Sequence, residues 1–311
     1  MNKSLSVLKK SSRDIGYLIL YYCFFWLPDK VYLKAMFRNQ MGKRLNLANP
    51  RTLCEKLQWL KLYDRNPLYT QMVDKSAVKA LVSKRIGEKF VIQPIAVWDS
   101  VEDINWEILP EKFVLKCTHD SGSIVICRDK KTLNKDNAKK ILRTGLKQDY
   151  FLAHREWPYK DVPRRVIAEP FIEGLGSLDS TEYKLTCMNG EVKIITVCGG
   201  IAHSSFDVRT NDHFSKAWER QSWYVNYKPS GKDIQKPPFM DEMIMLSEKL
   251  AQGIPYVRVD WYELNGQLYF GEFTFFTWAG FMHFEPKVWD EILGDWLQLP
   301  ESKRIVCGSS F

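Results

Sequence analysis

Leucines 53, 57 and 60 repeat at i, i+4 and i+7, the spacing that lines one side of an α-helix. Asn49 and Pro50 ahead of them supply a capping residue and a first-turn proline. A second apolar stripe, Val78, Leu81 and Val82, begins after Asp74 and stops at Gly87. Past Phe90 the period shortens. Runs rich in β-branched and aromatic residues occupy 113–117, 124–127, 165–169, 183–188, 191–197, 256–262 and 268–276. Asn189-Gly190 and Asn265-Gly266 each separate two such runs, a strong hairpin signal that makes the sheet antiparallel. Helical patterns return only at 135–146 and 241–252, without the regular alternation of a parallel doubly wound sheet. The pattern predicts an α+β fold with helices first, strands later, and a seam near 87–112.

The run 16–27 (GYLILYYCFFWL) has three readings. It lacks the small-residue cleavage site of a signal peptide, and Pro28 and Asp29 follow directly. It is also shorter than the roughly 20 apolar residues a membrane span needs. A helix buried in the core or lying on a membrane surface remains; core helices are commoner, so the buried reading is preferred and the other kept open.

Parity along 256–276 decides which side chains share a face, because strand side chains alternate. A strict two-residue loop at Asn265-Gly266 would separate Asp260 from Glu272. A three-residue turn with Gly266 left-handed and a bulge would instead put Arg258, Asp260, Glu272 and Thr274 on one face and Val257, Val259, Phe273 and Phe275 on the other. The second set is uniformly apolar, which favours the odd loop. Two carboxylates close together call for a cation between them, and hard oxygen ligands suit Mg²⁺. The alternative is a solvated hairpin face with an Arg–carboxylate bridge.

Two further segments carry candidate chemistry. Between 113–117 and 124–127 lies a loop of small and polar residues, Thr118 to Ser123, with Lys116 on the strand before it. Backbone N–H groups of such a loop can cradle phosphate, with Lys116 as a compact cation; an ordinary surface turn is the alternative. In RVIAEPFIEG an apolar strand reaches Glu169 and then Pro170, which has no N–H to continue a ladder. The released backbone, or Glu169 itself, suits an adenine edge; an edge strand ending in a turn is the plainer reading.

Composition narrows the partners. The chain of 311 residues has 45 Lys and Arg against 37 Asp and Glu, a formal charge of +8 that fits an anionic partner. No basic stripe with interleaved aromatics supports nucleic acid. Seven cysteines form no C-x-x-C and no metal spacing with His, as expected of reduced thiols in a cytoplasm-facing protein. Eleven tryptophans are many for this length; most belong in the core, and Trp157, Trp218, Trp223 and Trp278 are candidates for a substrate surface.

Taken in chain order, NPRTLCEKLQWLKLYD, DKSAVKALVSKRIG, LPEKFVLKCTHDSGS, RRVIAEPFIEG, EYKLTCMNG and RVDWYELNGQLYFGEFTFF resemble the ATP-grasp superfamily, and within it the TupA-like family of teichuronopeptide biosynthesis. The resemblance runs from about residue 46 to 299. It implies two α+β lobes with antiparallel sheets clamping ATP behind a helical leader, divided as 1–87, 88–172 and 173–311. It further implies Lys116, Lys184 and Lys75 on phosphates and a covering loop including His119, Ser121, Gly122 and Ser123. Glu169, Phe171 and Ile172 would form the adenine hinge, and Glu182 would hold the ribose. Asp260, Glu272 and Thr274 would hold Mg²⁺, and Arg258 would stabilise the transferred phosphoryl group. His119, His203 and Arg209 are candidates to contact an acidic substrate, against the plainer reading of structural or exposed imidazoles. Thr274 stands where many relatives have Asn, and Pro170 removes a hinge donor. The activity implied is carboxylate–amine ligation through an acylphosphate, in cell-surface polysaccharide biosynthesis at the cytoplasmic side. A sugar kinase on the same fold and a non-catalytic glycan- or membrane-associated assembly protein are the alternatives.

Overall fold

The structure, a computed structural model, describes residues 12–175, 181–199 and 209–301. Helices come first: α1 (Ser12–Cys23), α2 (Asp29–Met41), α3 (Leu53–Tyr63), α4 (Leu68–Val73) and α5 (Ala77–Ile86). The cap of α3 is Thr52, three residues later than Asn49. Thr52 and Glu55 form a reciprocal capping box, in which the Thr52 hydroxyl accepts from Glu55 N at 3.2 Å and Glu55 accepts from Thr52 N at 3.3 Å. Asp74 does act at the start of α5, accepting from Ser76 N at 2.8 Å, and Gly87 ends it with φ +110°.

Four short strands, β1 (Ala96–Trp98), β2 (Phe113–Cys117), β3 (Ile124–Cys127) and β4 (Val166–Pro170), form an antiparallel sheet in the order β1-β4-β2-β3. Helix α6 (Lys135–Lys147) lies on it, and the short α7 (Tyr150–His154) follows. A Cβ on Gly145 would meet Ser123 Oγ at 2.1 Å and Cys117 Sγ at 2.8 Å. Glycine there lets α6 sit directly against the loop after β2.

The larger sheet has the order β10-β9-β5-β6-β7, from β5 (Glu182–Met188), β6 (Glu191–Gly199), β7 (Thr210–Phe214), β9 (Tyr256–Leu264) and β10 (Gln267–Thr274), all antiparallel. Between β7 and β9 come β8 (Tyr224–Val225) and α8 (Met240–Ala251); β11 (Phe284–Glu285), which pairs with β8, and α9 (Trp289–Trp296) follow β10. Helix α8 covers one sheet face, where Trp261 Nε1 donates to Ser247 Oγ at 2.8 Å.

One apolar core joins α2–α5, the five-stranded sheet, α8 and α9, while the four-stranded sheet and α6 enclose a second. Helix α1 is only half built in. Tyr17, Leu20 and Leu27 pack on the core, whereas Ile15, Ile19 and all of Tyr22 to Trp26 are exposed. The preference for a buried run therefore holds for one side of α1 alone. Among the described residues no helix is long and apolar enough to cross a membrane, and the six described cysteines are free.

Candidate active site

Register across the larger sheet aligns its polar residues in rows. Asp260 pairs with Lys184, Lys184 with Thr196, and Thr196 with His213, one residue from each of β9, β5, β6 and β7. Tyr262, Glu182, Cys198 and Asn211 make the row on one side of it, and Arg258, Thr186 and Ile194 the row on the other. Because paired residues share a face, these rows are the floor of one surface, opposite α8.

The charged end of the floor is tightly bonded. Arg258 grips Asp260 with both arms, Nε to Oδ1 and Nη2 to Oδ2 at 2.6 Å each, and Lys184 Nζ lies 3.3 Å from Asp260 Oδ2 and 3.0 Å from Glu182 Oε2. Burial alone would raise the Asp260 pKa, but Arg258 and Lys184 overturn that and hold it below the usual carboxylate value. Burial opposes the charge on Arg258 too, and Asp260 more than offsets it, so the guanidinium pKa rises. Glu182 is raised: burial outweighs the pull of Lys184, and Asp260 adds to the rise.

Glu272 reaches this cluster by a device other than the expected odd loop. Gln267 pairs with Leu264, so the turn is a two-residue one, with Asn265 at φ 54° and Gly266 at φ 77°. The parity changes further along, at a bulge between Phe270 and Phe273, after which Phe273 faces Val259 and Thr274 faces Arg258. The face assignment stands and its cause moves from turn to bulge. Glu272, its side chain 55% exposed, sits in the bulge with Oε1 4.0 Å from Arg258 Nη2.

A second cluster gathers near the four-stranded sheet. Lys116 Nζ lies 2.6 Å from Glu169 Oε2, and Lys79, on α5, pairs with the other oxygen of Glu169. Burial pushes Glu169 up, yet the two lysines pull its pKa down to about 2. Glu169 is thus the counter-ion of two lysines, and in the backbone after it Phe171 N donates to Lys112 O at 3.4 Å. Lys75 donates from Nζ to Asp120 O and from its backbone to Thr118 O at 3.1 Å, fastening the loop. Burial lowers its pKa, against the opposing influence of Glu272 and Asp120, while Lys116 lowers it further. Lys75 therefore lies within electrostatic reach of both clusters. In the loop itself Ser121 and Gly122 are exposed, and Ser123 is half-buried with its carbonyl accepting from Cys117 N at 3.1 Å. His119 is buried, with Nε2 donating to Gln148 O at 3.1 Å.

Beside Arg258 and Lys184 opens a cavity of about 210 Å³. Thr196 and His213 line it from the sheet and Arg209 from just before β7, together with Trp223, Tyr227 and Trp278. Helix α3 holds the Trp278 wall in place: Gln58 Nε2 donates to Ala279 O and Gly280 O at 3.0 Å, and the buried Lys61 to Ala279 O at 2.8 Å. Of the four tryptophans singled out, Trp223 and Trp278 reach the cavity. Trp157 is a core residue bonded to Asp64 O at 3.0 Å, and Trp218 stacks on Phe214 at 4.3 Å. His119 is not on the cavity wall, and His203 falls outside the described residues.

The charges are complementary to a metal–nucleotide complex. Glu182, Asp260 and Glu272 outnumber Lys184 and Arg258 by one, and Lys75, Lys79 and Lys116 outnumber Glu169 and Asp120 by one. No group of three or more His, Cys, Asp or Glu among the described residues could hold a metal unaided. Mg²⁺ takes one or two carboxylates and completes its shell with phosphate oxygens and water. Asp260 and the open carboxylate of Glu272 supply that number, with Thr274 beside Arg258 on the same face.

Sequence reasoning missed Lys79, Thr196 and His213. Lys79 lies four residues after Lys75, a helical repeat that could have marked it. Thr196 and His213 become visible only when the Asn189-Gly190 hairpin is extended to the next strand.

The family model described as TupA-like ATPgrasp matches residues 55–298. No curated protein sequence matches the chain. Among solved structures, D-alanine–D-alanine ligase from Bacillus anthracis complexed with ATP is similar at 17% identity and TM-score 0.37, over 65% of this chain and 54% of that one. D-cycloserine synthetase DcsG is similar at 14% and 0.40, over 67% and 64%. N5-carboxyaminoimidazole ribonucleotide synthetase from Thermus thermophilus is similar at 10% and 0.38, over 71% and 51%. The match thus spans about half to two thirds of those chains.

Proposed function

The chain belongs to the TupA-like ATP-grasp family, and from that premise we propose that it is an ATP- and Mg²⁺-dependent carboxylate–amine ligase. The observation that carries this reading is the meeting of two clusters of opposite excess charge, with Lys75 in reach of both Glu272 and Lys116. In this reading Lys75, Lys79, Lys116 and Lys184 neutralise phosphate oxygens under the loop of Ser121, Gly122 and Ser123. Glu182 takes the ribose, and the backbone of Phe171 and Ile172 takes the adenine. Asp260, Glu272 and Thr274 hold Mg²⁺, which when bound supplies further neutralisation of phosphate charge. The division into 1–87, 88–172 and 173–311 is part of the same proposal.

The substrate carboxylate, drawn by Arg258 and Arg209, attacks the γ-phosphorus; the bond to the β,γ-bridging oxygen breaks and ADP leaves. An amine nitrogen then bonds the acyl carbon, the C–O bond to phosphate breaks, and the nitrogen gives its proton to solvent. The side chains position and neutralise, because phosphoryl transfer asks little covalent work of them. We take the carboxylate to be that of an acidic sugar or polysaccharide precursor and the amine to be that of an amino acid or amino sugar. The work is placed on the cytoplasmic side and, through the exposed patch on α1, at the surface of an anionic membrane.

Phosphate release from Mg-ATP over a panel of uronic acids and amines tests the reading. Release is expected only with acid and amine together, and is abolished in Asp260→Asn and in Glu272→Gln. ADP formed with a neutral sugar alone would make the protein a kinase, and wild-type turnover in either variant would sink both enzyme readings of the site.

A further inference from the structure

Trp278, which walls the cavity, stands on a backbone turn of unusual form. Trp278, Ala279 and Gly280 are all left-handed, with φ 53°, 51° and 70°, a region costly to residues other than glycine. Just before them Thr277 is anchored, its hydroxyl accepting from Tyr256 OH at 2.9 Å. The turn closes on itself by two bonds, Ala279 N to Phe276 O at 2.7 Å and Phe281 N to Trp278 O at 2.9 Å. Its remaining support comes from another element: Gln58 and Lys61 of α3 both donate to Ala279 O. A costly conformation held from outside has a cheaper alternative to fall into when the hold weakens.

Lys61 is the stronger of the two holds. It is 1% exposed, rare for a lysine. Its Nζ donates to Ala279 O and to His154 O at 2.8 Å each, and lies 5.5 and 5.2 Å from the ring centres of Phe276 and Phe281. The two carbonyls are unequally fixed. His154 stands between Ala153, whose carbonyl accepts from Tyr32 OH at 3.1 Å, and Arg155, which donates to Leu152 O at 3.0 Å. The strained turn is therefore the side that yields. A charged donor bonds about twice as strongly as a neutral one, and the ring faces attract the cation, so the grip depends on the proton. Of the groups around Lys61, Glu156 supports its charge; burial raises the Glu156 pKa, against the pull of Lys61 and Arg258. His154 is neutral, its pKa lowered to about 3 by burial and by Lys61. Arg155 is answered by Asp29 at 3.3 Å, and burial keeps the Tyr32 and Tyr159 phenols neutral. Residues 276–281 bring no ionisable side chain. Burial lowers the Lys61 pKa and Glu156 restores part of it, so the proton leaves below the ordinary lysine value of about 10.4. Acidification neutralises Glu156 first and leaves Lys61 charged.

We infer that Lys61 is a positioning residue of the cavity: its ammonium, shared between the His154 and Ala279 carbonyls, locks the 278–280 turn in its left-handed form and so keeps Trp278 on the cavity wall, and loss of the proton releases it. What the release does to turnover rests on the ligase reading; the release itself does not.

Fluorine NMR of the protein labelled with 5-fluorotryptophan tests the inference without a substrate. Trp278→Phe removes one resonance of the eleven tryptophans and so assigns it. In the wild type that resonance is expected to shift reversibly as pH rises, with a midpoint well below about 10.4. In Lys61→Met, which keeps the length and loses the donors, it should sit at the high-pH position throughout. Ala279→Gly removes part of the cost of the left-handed turn, favours the closed form and should move the midpoint up by roughly 0.5–1 unit. A Trp278 resonance that does not titrate in the wild type, or that titrates or keeps its low-pH position in Lys61→Met, overturns the inference. If Lys61→Met loses Mg-ATP binding and so has not folded, Ala279→Gly decides, and an unmoved midpoint overturns it. In the phosphate-release assay the KM for the acid should rise about 3- to 10-fold across the same midpoint with kcat and Mg-ATP affinity unchanged. A Trp278 titration of the expected form in a protein that releases no phosphate with any acid and amine supports the inference and overturns the ligase reading instead.

Discussion

Arg258 makes two 2.6 Å bonds to Asp260, stands 4.0 Å from Glu272 and lines the cavity, so one side chain touches both the carboxylates proposed to hold Mg²⁺ and the cavity proposed to admit the acid. Glu169 does the equivalent work for cations, pairing with Lys79 and Lys116, and those lysines are the sharpest place to probe the proposed nucleotide site. Hydrogen bonds to charged groups contribute about 1.5–3 kcal/mol each, so Lys79→Ala and Lys116→Ala should each weaken Mg-ATP roughly 10- to 100-fold by calorimetry; unchanged affinity would remove that lysine from the site. The same pair sets a pH dependence. Glu169 has its pKa depressed to about 2, so its stabilisation is complete above the unfolded value of about 4.3 and is lost as pH falls toward 2. In either variant the folded-state pKa of Glu169 rises toward the unfolded one, so the loss on acidification is smaller and ends at a higher pH, readable as a flatter fall of the thermal midpoint between about pH 5 and 3. Asp260, Glu272, Lys116 and Arg258 were legible in the sequence because strand alternation alone places charged residues among apolar ones. Lys79, Thr196 and His213 were not, because what gives each its meaning is a partner on another element.

At the scale of elements, the β9–β10 hairpin shows how a face can be predicted for an incomplete reason. Apolar segregation of Val257, Val259, Phe273 and Phe275 identified the buried side correctly, since no turn geometry could bury a carboxylate there cheaply. The turn kept its ordinary two-residue form, and Gly271 in the bulge absorbs the extra residue. A Cβ at this position would meet Tyr262 Cε2 at 3.0 Å and the Asp260 carbonyl oxygen at 3.1 Å. Backbone gives little, so Gly271→Ala is expected to destabilise the protein by about 1–3 kcal/mol and to cut phosphate release by displacing Glu272. Thermal unfolding beside the release assay checks it; wild-type values in both would mean that the bulge does not set the carboxylate. The start of α3 teaches the same lesson: Asn49-Pro50 looked like a cap, but the Thr52–Glu55 spacing completes a two-way bond that Asn49 cannot.

For the whole molecule, the order of helices and strands was readable because the hydrophobic period shortens near residue 90 and returns to the helical one at 135–146 and 241–252. The sharing of one core by α2–α5 and the five-stranded sheet was not, since it joins segments some 200 residues apart. Part of the net positive charge is an exposed row on α2, Lys30, Lys34 and Arg38, at i, i+4 and i+8. That row follows directly on the exposed apolar stretch that includes Tyr22 and Trp26, whose exposures are 68% and 66%. Apolar residues beside cations suit an anionic bilayer surface. The protein is expected to sediment with vesicles containing phosphatidylglycerol and not with phosphatidylcholine alone, and the double variant Phe25→Glu, Trp26→Glu should stay in solution while keeping its Mg-ATP affinity. Vesicle binding by that variant, or a wild-type dimer that the variant abolishes with no vesicle binding, would assign the patch otherwise.

Arg155 decides what such a contact would mean. Buried behind the patch, it donates to the Phe25 carbonyl, lies 3.3 Å from Asp29 and rests 4.0 Å from the Tyr32 ring. The patch is therefore bolted to the body and not carried on a tether. A bilayer engaged there would hold the protein at one tilt and one stand-off, and a lipid-carried acceptor would need a head of matching length to arrive at the cavity.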